Sequence, residues 1–141
     1  MTEYLLDTNH ISPLITLEHP LRIQVLSCFE HGDTFSIAVP ALVEFLFGIS
    51  TLPRAKQNQA EWERLSNRFT YYSIDKSDAE HATELRLILR QRGWQLAAFD
   101  ALIAVVALRY KLTLLTTDKD FQAIIGLKQE NWRDLTTIKP Q

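Results

Sequence analysis

Two rhythms of apolar and polar residues run along this chain. Short runs rich in aliphatic, β-branched and aromatic residues (Glu3 to Leu6, Thr34 to Val39, Tyr71 to Ile74 and Leu112 to Thr116) read as buried strands. Thr136 to Ile138 adds a candidate edge strand. Between these runs the period lengthens to that of helices. One helix is expected from Asp7-Thr8-Asn9 through Leu17, and a second from Pro20, a residue suited to a helix start, to the stop at His31-Gly32. Pro40 opens a strongly apolar helix. After a break from Ser50 to Pro53, Arg54 to Phe69 resumes as an amphipathic helix with Trp62, Leu65 and Phe69 inward. Ser77-Asp78-Ala79-Glu80 has the capping-box pattern and heads a helix that buries Ala82, Leu85 and Leu89 and stops at Gly93. A polar turn, Thr117 to Asp120, and a short helix from Phe121 follow the fourth strand. Strands alternating with helices in this way predict a parallel sheet covered on both faces. No repeat, low-complexity tract or linker interrupts the pattern, so residues 1–141 read as one α/β domain.

The stretch Leu96 to Leu108 departs from amphipathic patterning. Every residue in it is apolar except Asp100, and it is too long and Ala-rich for a strand. Helical spacing predicts a buried stripe of Phe99, Leu102, Ile103, Val106 and Tyr110. Asp100 falls near the helix start, where the dipole and free N–H groups favour a carboxylate, so an ordinary cap is one reading. Ala104 and Ala107, four and seven residues on, are small enough to leave room for an approaching group.

Composition narrows the alternatives. At 141 residues, 46% hydrophobic and 23% charged, the chain has the make-up of a globular protein with a substantial core. Asp100 and Arg109 interrupt the longest apolar run before it reaches membrane-spanning length. The N-terminus lacks the basic-then-apolar layout of a signal peptide. The single cysteine, Cys28, shares a helical stripe with Leu21, Val25 and Phe29 and reads as a core residue in a reducing, cytoplasmic setting. A net charge of −2 gives no general basic footprint for nucleic acid, yet it leaves room for an enzyme that holds phosphates through metal ions.

The acids carry the chemistry. Ligands of open parallel sheets bind beyond the carboxyl ends of the strands. Asp7 directly follows Tyr4-Leu5-Leu6, and Asp118 follows Leu114 to Thr117. Glu44 interrupts an otherwise apolar helix one turn after a strand, and Asp100 also sits near a helix start. Each also suits an ordinary role, Asp7 and Asp118 as turn or N-cap residues and Glu44 as an outward-facing side chain. Together they suggest carboxylates converging on one rim. Such a cluster repels itself unless protonated or neutralised, and a hard divalent ion such as Mg²⁺ is the economical partner. The four histidines show no zinc-type spacing, and no glycine-rich phosphate loop or nucleophile elbow is present.

At these residues the chain resembles the PIN-domain ribonucleases, and specifically the VapC-type toxins of bacterial toxin–antitoxin pairs. The resemblance runs through Leu5-Leu6-Asp7-Thr8-Asn9, Val43-Glu44-Phe45-Leu46-Phe47-Gly48, Phe99-Asp100-Ala101-Leu102-Ile103-Ala104 and Leu114 to Phe121, and ends in Gly126-Leu127 with Asn131-Trp132. It implies a three-layer PIN-like α/β domain with a central parallel sheet of four or five strands flanked by helices. It also implies a metal site of Asp7, Glu44, Asp100 and Asp118, with Asp120 auxiliary and Thr8, Asn9 and Thr116 as supporting groups. The implied activity is Mg²⁺- or Mn²⁺-dependent hydrolysis of RNA phosphodiesters, with tRNA as the leading substrate, one metal ion (or two with RNA bound), a cognate antitoxin and a homodimer.

Basic residues on the middle helices (Arg54, Lys56, Arg64, Arg68, Arg86, Arg90, Arg92) suit RNA-backbone contacts or a solvated face equally. The consecutive Phe45, Leu46 and Phe47 suit a groove for a partner helix or a fully buried core helix. Two competing functions remain. One is a non-catalytic RNA- or protein-binding module. The other is a phosphatase of the haloacid-dehalogenase kind, against which Asn9 stands where a second acid belongs.

Overall fold

The computed structural model describes residues 1–133. Among these residues five parallel strands form one sheet: β1 (Glu3–Leu6), β2 (Thr34–Ala38), β3 (Thr70–Tyr72), β4 (Thr113–Leu115) and β5 (Gln129–Glu130), in the order β3-β2-β1-β4-β5. Leu5 pairs with Ser36 on one side and with Leu114 on the other, so β1 is central. Leu5, Leu6, Ile37, Leu114 and Leu115 are fully buried, as strands covered on both faces require. The chain builds outward from β1 to β3, then crosses back to β4 and β5. This reversal opens a crevice beyond the carboxyl ends of β1 and β4. The fifth strand is Gln129–Glu130, which alternation does not flag in so polar a segment. The strand expected at Thr136 to Ile138 lies outside the described residues.

Among the described residues, six helices flank the sheet: α1 (Thr8–Ile11), α2 (Pro20–Glu30), α3 (Val39–Thr51), α4 (Ala55–Ser66), α5 (Lys76–Gln91) and α6 (Ala98–Tyr110). The first is far shorter than expected. Pro13 cannot donate to a continuing α-helix, and the chain runs on as a 3-10 turn over Ser12–Ile15. Phe69 lies beyond the end of α4 but is buried as predicted, in a series of ring contacts running Phe45–Trp62–Phe69–Phe29–Phe35–Trp132.

The capping box of α5 is Asp75 with Asp78, not Ser77 with Glu80. Asp is also a good N-cap, and a tertiary contact favours this pair: Asp78 is 1% exposed and takes a hydrogen bond from Arg109 of α6 at 3.0 Å. The predicted face of α6 is also corrected. Ala101, Ile103, Ala104, Val105, Val106 and Ala107 are buried, whereas Phe99 and Tyr110 are exposed. A helix apolar all round has no periodicity to fix its rotation, so packing against the sheet and α5 sets it. Ala104 and Ala107 are buried in that packing, and Ala107 also borders a small cavity beside Leu112 and Lys128.

Candidate active site

Asp7 closes β1 and starts α1. Its own N–H extends the parallel ladder to Leu115 O (3.0 Å), while its Oδ1 accepts from the Thr8 N–H at 2.8 Å. Its Oδ2 accepts from the Thr116 hydroxyl at 2.8 Å and from the Asn9 amide at 3.2 Å. Thr116 in turn accepts from the Asp118 N–H at 3.0 Å. One hydroxyl thus couples the ends of β1 and β4. Asn9 bridges the same ends, since its Oδ1 also accepts from the Thr117 N–H. Thr8 donates to Glu44 Oε2 at 3.3 Å and, more weakly, to Ala41 O at 3.4 Å.

Asp100 occupies the first turn of α6, but the helix has Ala97 at its N-cap and no side-chain cap. The capping reading fails. Its carboxyl instead faces the other acids. Partial burial comes first, and then the charges of Asp7, Asp118, Glu44 and Asp120 push it up to about 6. Burial also raises Asp7 against its hydrogen bonds to Thr116 and Thr8, and Asp118 and Glu44 add to the rise. Of the turn acids, Asp118 acts on both Asp7 and Asp100, whereas Asp120 is felt at Asp100. Asp118 also accepts from the Asp120 N–H at 2.9 Å, which heads the 3-10 turn Lys119–Ala123. The fold therefore brings all five acids into one electrostatic neighbourhood, with Asp7 buried and Glu44 and Asp120 at the exposed margin.

Among the described residues, no three His, Cys, Asp or Glu side chains close into a ready-made metal cage. An open, all-oxygen set of mutually repelling carboxylates suits a cation that keeps several of its waters and takes only one or two direct carboxylates, as Mg²⁺ does. Histidine ligation has no support. His10 is fully buried, with Nδ1 bonded to Asn9 Oδ1 at 2.7 Å and Nε2 accepting from the Trp132 N–H at 3.0 Å. Burial, with Arg133 nearby, lowers its pKa to about 3, so it is neutral with the proton on Nδ1. Pattern reading missed this supporting role, because a buried histidine has no sequence periodicity of its own.

The basic residues divide among separate sites, with Arg54 and Arg64 lining one cavity. Arg64 pairs with Glu61 at 3.1 Å, and Arg68 lies over the Phe29 ring. Arg86 and Arg90 share a cavity with Asp120 at the margin of the acid cluster. Helix α3 is not a fully buried helix, since Phe45 is inside but Val43, Leu46 and Phe47 are exposed.

A parallel sheet of this order with acids meeting beyond β1 and β4 defines a recognisable class. Residues 4–127 match the PIN domain family model, and the chain belongs to that family. Within it, the chain is similar to Ribonuclease VapC2 of Rickettsia felis, with 29% identity over 130 residues, 92% of this chain and 97% of that one. A chain of VapBC2 from Rickettsia felis, bound to a promoter DNA fragment, superposes with a TM-score of 0.81 at 28% identity, covering 93% of this chain and 99% of its own. DNA-bound VapBC from Salmonella typhimurium gives 0.78 at 25% identity, with 94% and 99% covered. A toxin–antitoxin complex from Klebsiella pneumoniae gives 0.67 at 26% identity, with 88% and 94% covered.

Proposed function

We propose that the chain is a metal-dependent endoribonuclease toxin, one nuclease domain over residues 1–141, that hydrolyses phosphodiesters in a structured RNA, tRNA foremost. The observation that carries this reading is the set of acids at the switch point of a PIN-domain sheet, where Thr116 donates to Asp7 and accepts from the Asp118 N–H and Thr8 donates to Glu44. The raised Asp100 carboxyl accords with it. Like charges gathered around the buried Asp7 oppose one another, and a functional cation explains keeping them together. The ribonuclease name of the Rickettsia relative supports the RNA substrate.

Asp7, Glu44, Asp100 and Asp118 would hold Mg²⁺ or Mn²⁺, with Asp120 auxiliary. The bound ion supplies a polarised phosphoryl oxygen and a water of lowered pKa. The chain's own groups do the positioning. Thr116 and Asn9 fix the Asp7 carboxylate, Thr8 orients Glu44, and Thr116 ties Asp118 to Asp7. No covalent enzyme intermediate is needed.

A cognate antitoxin holds the toxin inactive in this proposal, and the exposed Val43, Leu46 and Phe47 of α3 supply an apolar seat for its helix. The similar VapBC structures support such a partner. A homodimer in the cytoplasm completes the proposal. Among the described residues, no helix is long and apolar enough to cross a membrane.

The deciding experiment is cleavage of a total tRNA pool by purified protein with Mg²⁺, Mn²⁺ or EDTA, beside Asp7→Asn and Asp100→Asn. Discrete metal-dependent fragments absent from both variants support the nuclease. Cutting unchanged in the variants refutes the site. Hydrolysis of a small phosphomonoester instead points to a phosphatase, and divalent binding without RNA cleavage to a binding module.

A further inference from the structure

The junction between α5 and α6 carries a cavity of about 660 Å³ whose wall includes Asp120. One side is a face of α5, where Arg86 and Arg90 lie one turn apart. The other side is the chain that follows. Gly93 takes a φ of 82°, its N–H bonds to Arg90 O at 3.0 Å, and the Trp94 N–H bonds to Leu89 O at 2.9 Å. This paired closure of a helix C-terminus pins the backbone of Trp94. Trp94 lines the cavity and is 47% exposed, while Trp62 and Trp132 are buried. Arg86 is anchored too, donating from Nε to Leu96 O at 2.9 Å. Arg22, Arg64 and Arg109 all pair with carboxylates, but among the described residues neither Arg86 nor Arg90 does.

A half-exposed tryptophan on a pinned backbone, beside two guanidinium groups without carboxylate partners among the described residues, is a combination for nucleic acid. A base stacks on the ring, and phosphates meet the arginines. The location adds the reason it is needed. The five acids repel an RNA backbone, and these arginines share a cavity with one of those acids. The volume is that of a small-molecule site, enough for one nucleotide.

We propose that this cavity is a nucleotide subsite: an unpaired nucleotide next to the scissile phosphate stacks its base on Trp94 and sets its phosphates against Arg86 and Arg90. The subsite's relation to the scissile bond rests on the ribonuclease reading; its affinity for single-stranded RNA does not. Duplex RNA presents no free base face, so the subsite favours loops and single strands.

The test is titration of tryptophan emission with short single-stranded oligoribonucleotides in EDTA, where no turnover occurs, with an RNA duplex as control. Single strands should quench wild type, duplex should not, and Trp94→Phe should lose the quenched component. In a separate filter-binding measurement, Trp94→Ala should weaken single-strand binding about tenfold, with Trp94→Phe restoring most of it. Arg90→Gln should lower the salt dependence by about one phosphate contact. Equal quenching by duplex, or undiminished binding by Trp94→Ala, overturns the subsite. Cleavage that is metal-dependent and lost in Asp100→Asn but indifferent to Trp94→Ala sinks the subsite and leaves the nuclease standing. Single-strand quenching by a protein that cleaves no RNA has the opposite meaning.

Discussion

Asp100 is held in a state that works against the fold. Burial first, and then the charges of Asp7, Asp118, Glu44 and Asp120, disfavour its ionised form, so the folded state carries a penalty that grows as pH rises from the ordinary 3.8 and is complete above about pH 6. Asp100→Asn should therefore raise the melting temperature in EDTA by a few degrees, equivalent to ~1 kcal/mol after allowing for solvent screening. The same variant should abolish cleavage and reduce the stabilisation that Mn²⁺ gives wild type, which differential scanning fluorimetry reads. A lower melting temperature would remove Asp100 from the repelling cluster. His10 works in the opposite sense. Its folded pKa of about 3 lies below the ordinary 6.5, so the unfolded chain takes up the proton first as pH falls. Its stabilising contribution is complete above about pH 6.5 and is lost as pH falls toward 3. His10→Ala should cost ~2 kcal/mol at neutral pH, because it leaves the Trp132 N–H without its acceptor, and progressively less in acid. Urea unfolding of both proteins across that range measures the difference.

At the scale of elements, the tie between α2, the 3-10 turn and α4 is the most exposed to a single change. Glu61 of α4 is buried and takes Arg22 of α2 at 2.6 Å, and Arg22 also donates to Leu14 O at 2.7 Å. Glu61→Ala would leave a largely buried guanidinium without its counter-charge, and we expect a loss of ~3 kcal/mol. A chemical-denaturation loss below ~1 kcal/mol would show that solvent screens the pair as it does at a surface. Sequence patterning made α2 and α4 legible through their apolar stripes, but a Glu at one position and an Arg far upstream carry no sign of each other. The same limit explains the capping box of α5. Ser77/Glu80 is the better local pattern, yet Arg109, thirty-one residues beyond Asp78, bonds to both Asp75 and Asp78 and favours that pair.

Across the whole molecule, the end of the described chain is wired to the candidate site. Trp132 packs on Tyr4 and Phe35 and donates its N–H to His10, which holds Asn9, which in turn holds Asp7. Trp132→Ala should cost ~3 kcal/mol from the lost aromatic packing. It should also slow RNA cleavage at temperatures where the variant remains folded, since the lost ring packing loosens the main chain whose N–H anchors His10 and, through it, Asn9. Activity per folded molecule equal to wild type would separate the tail from the site.

The order of elements, the parallel sheet and the acids of the candidate site were all written locally. A strand needs a short apolar run, a sheet-edge carboxylate needs only to follow one, and Asp7, Glu44, Asp100 and Asp118 each punctuate an apolar segment. The rotation of α6, the brevity of α1, the polar fifth strand and the neutral His10 were decided by tertiary structure. In each case the local options differ little in energy, and contacts between residues far apart in the chain choose among them. So too with the cavity at Trp94: an isolated Trp in a polar loop says nothing in sequence, and only the packing of α5 beside the Asp118–Asp120 turn gives it arginines and an acid for neighbours.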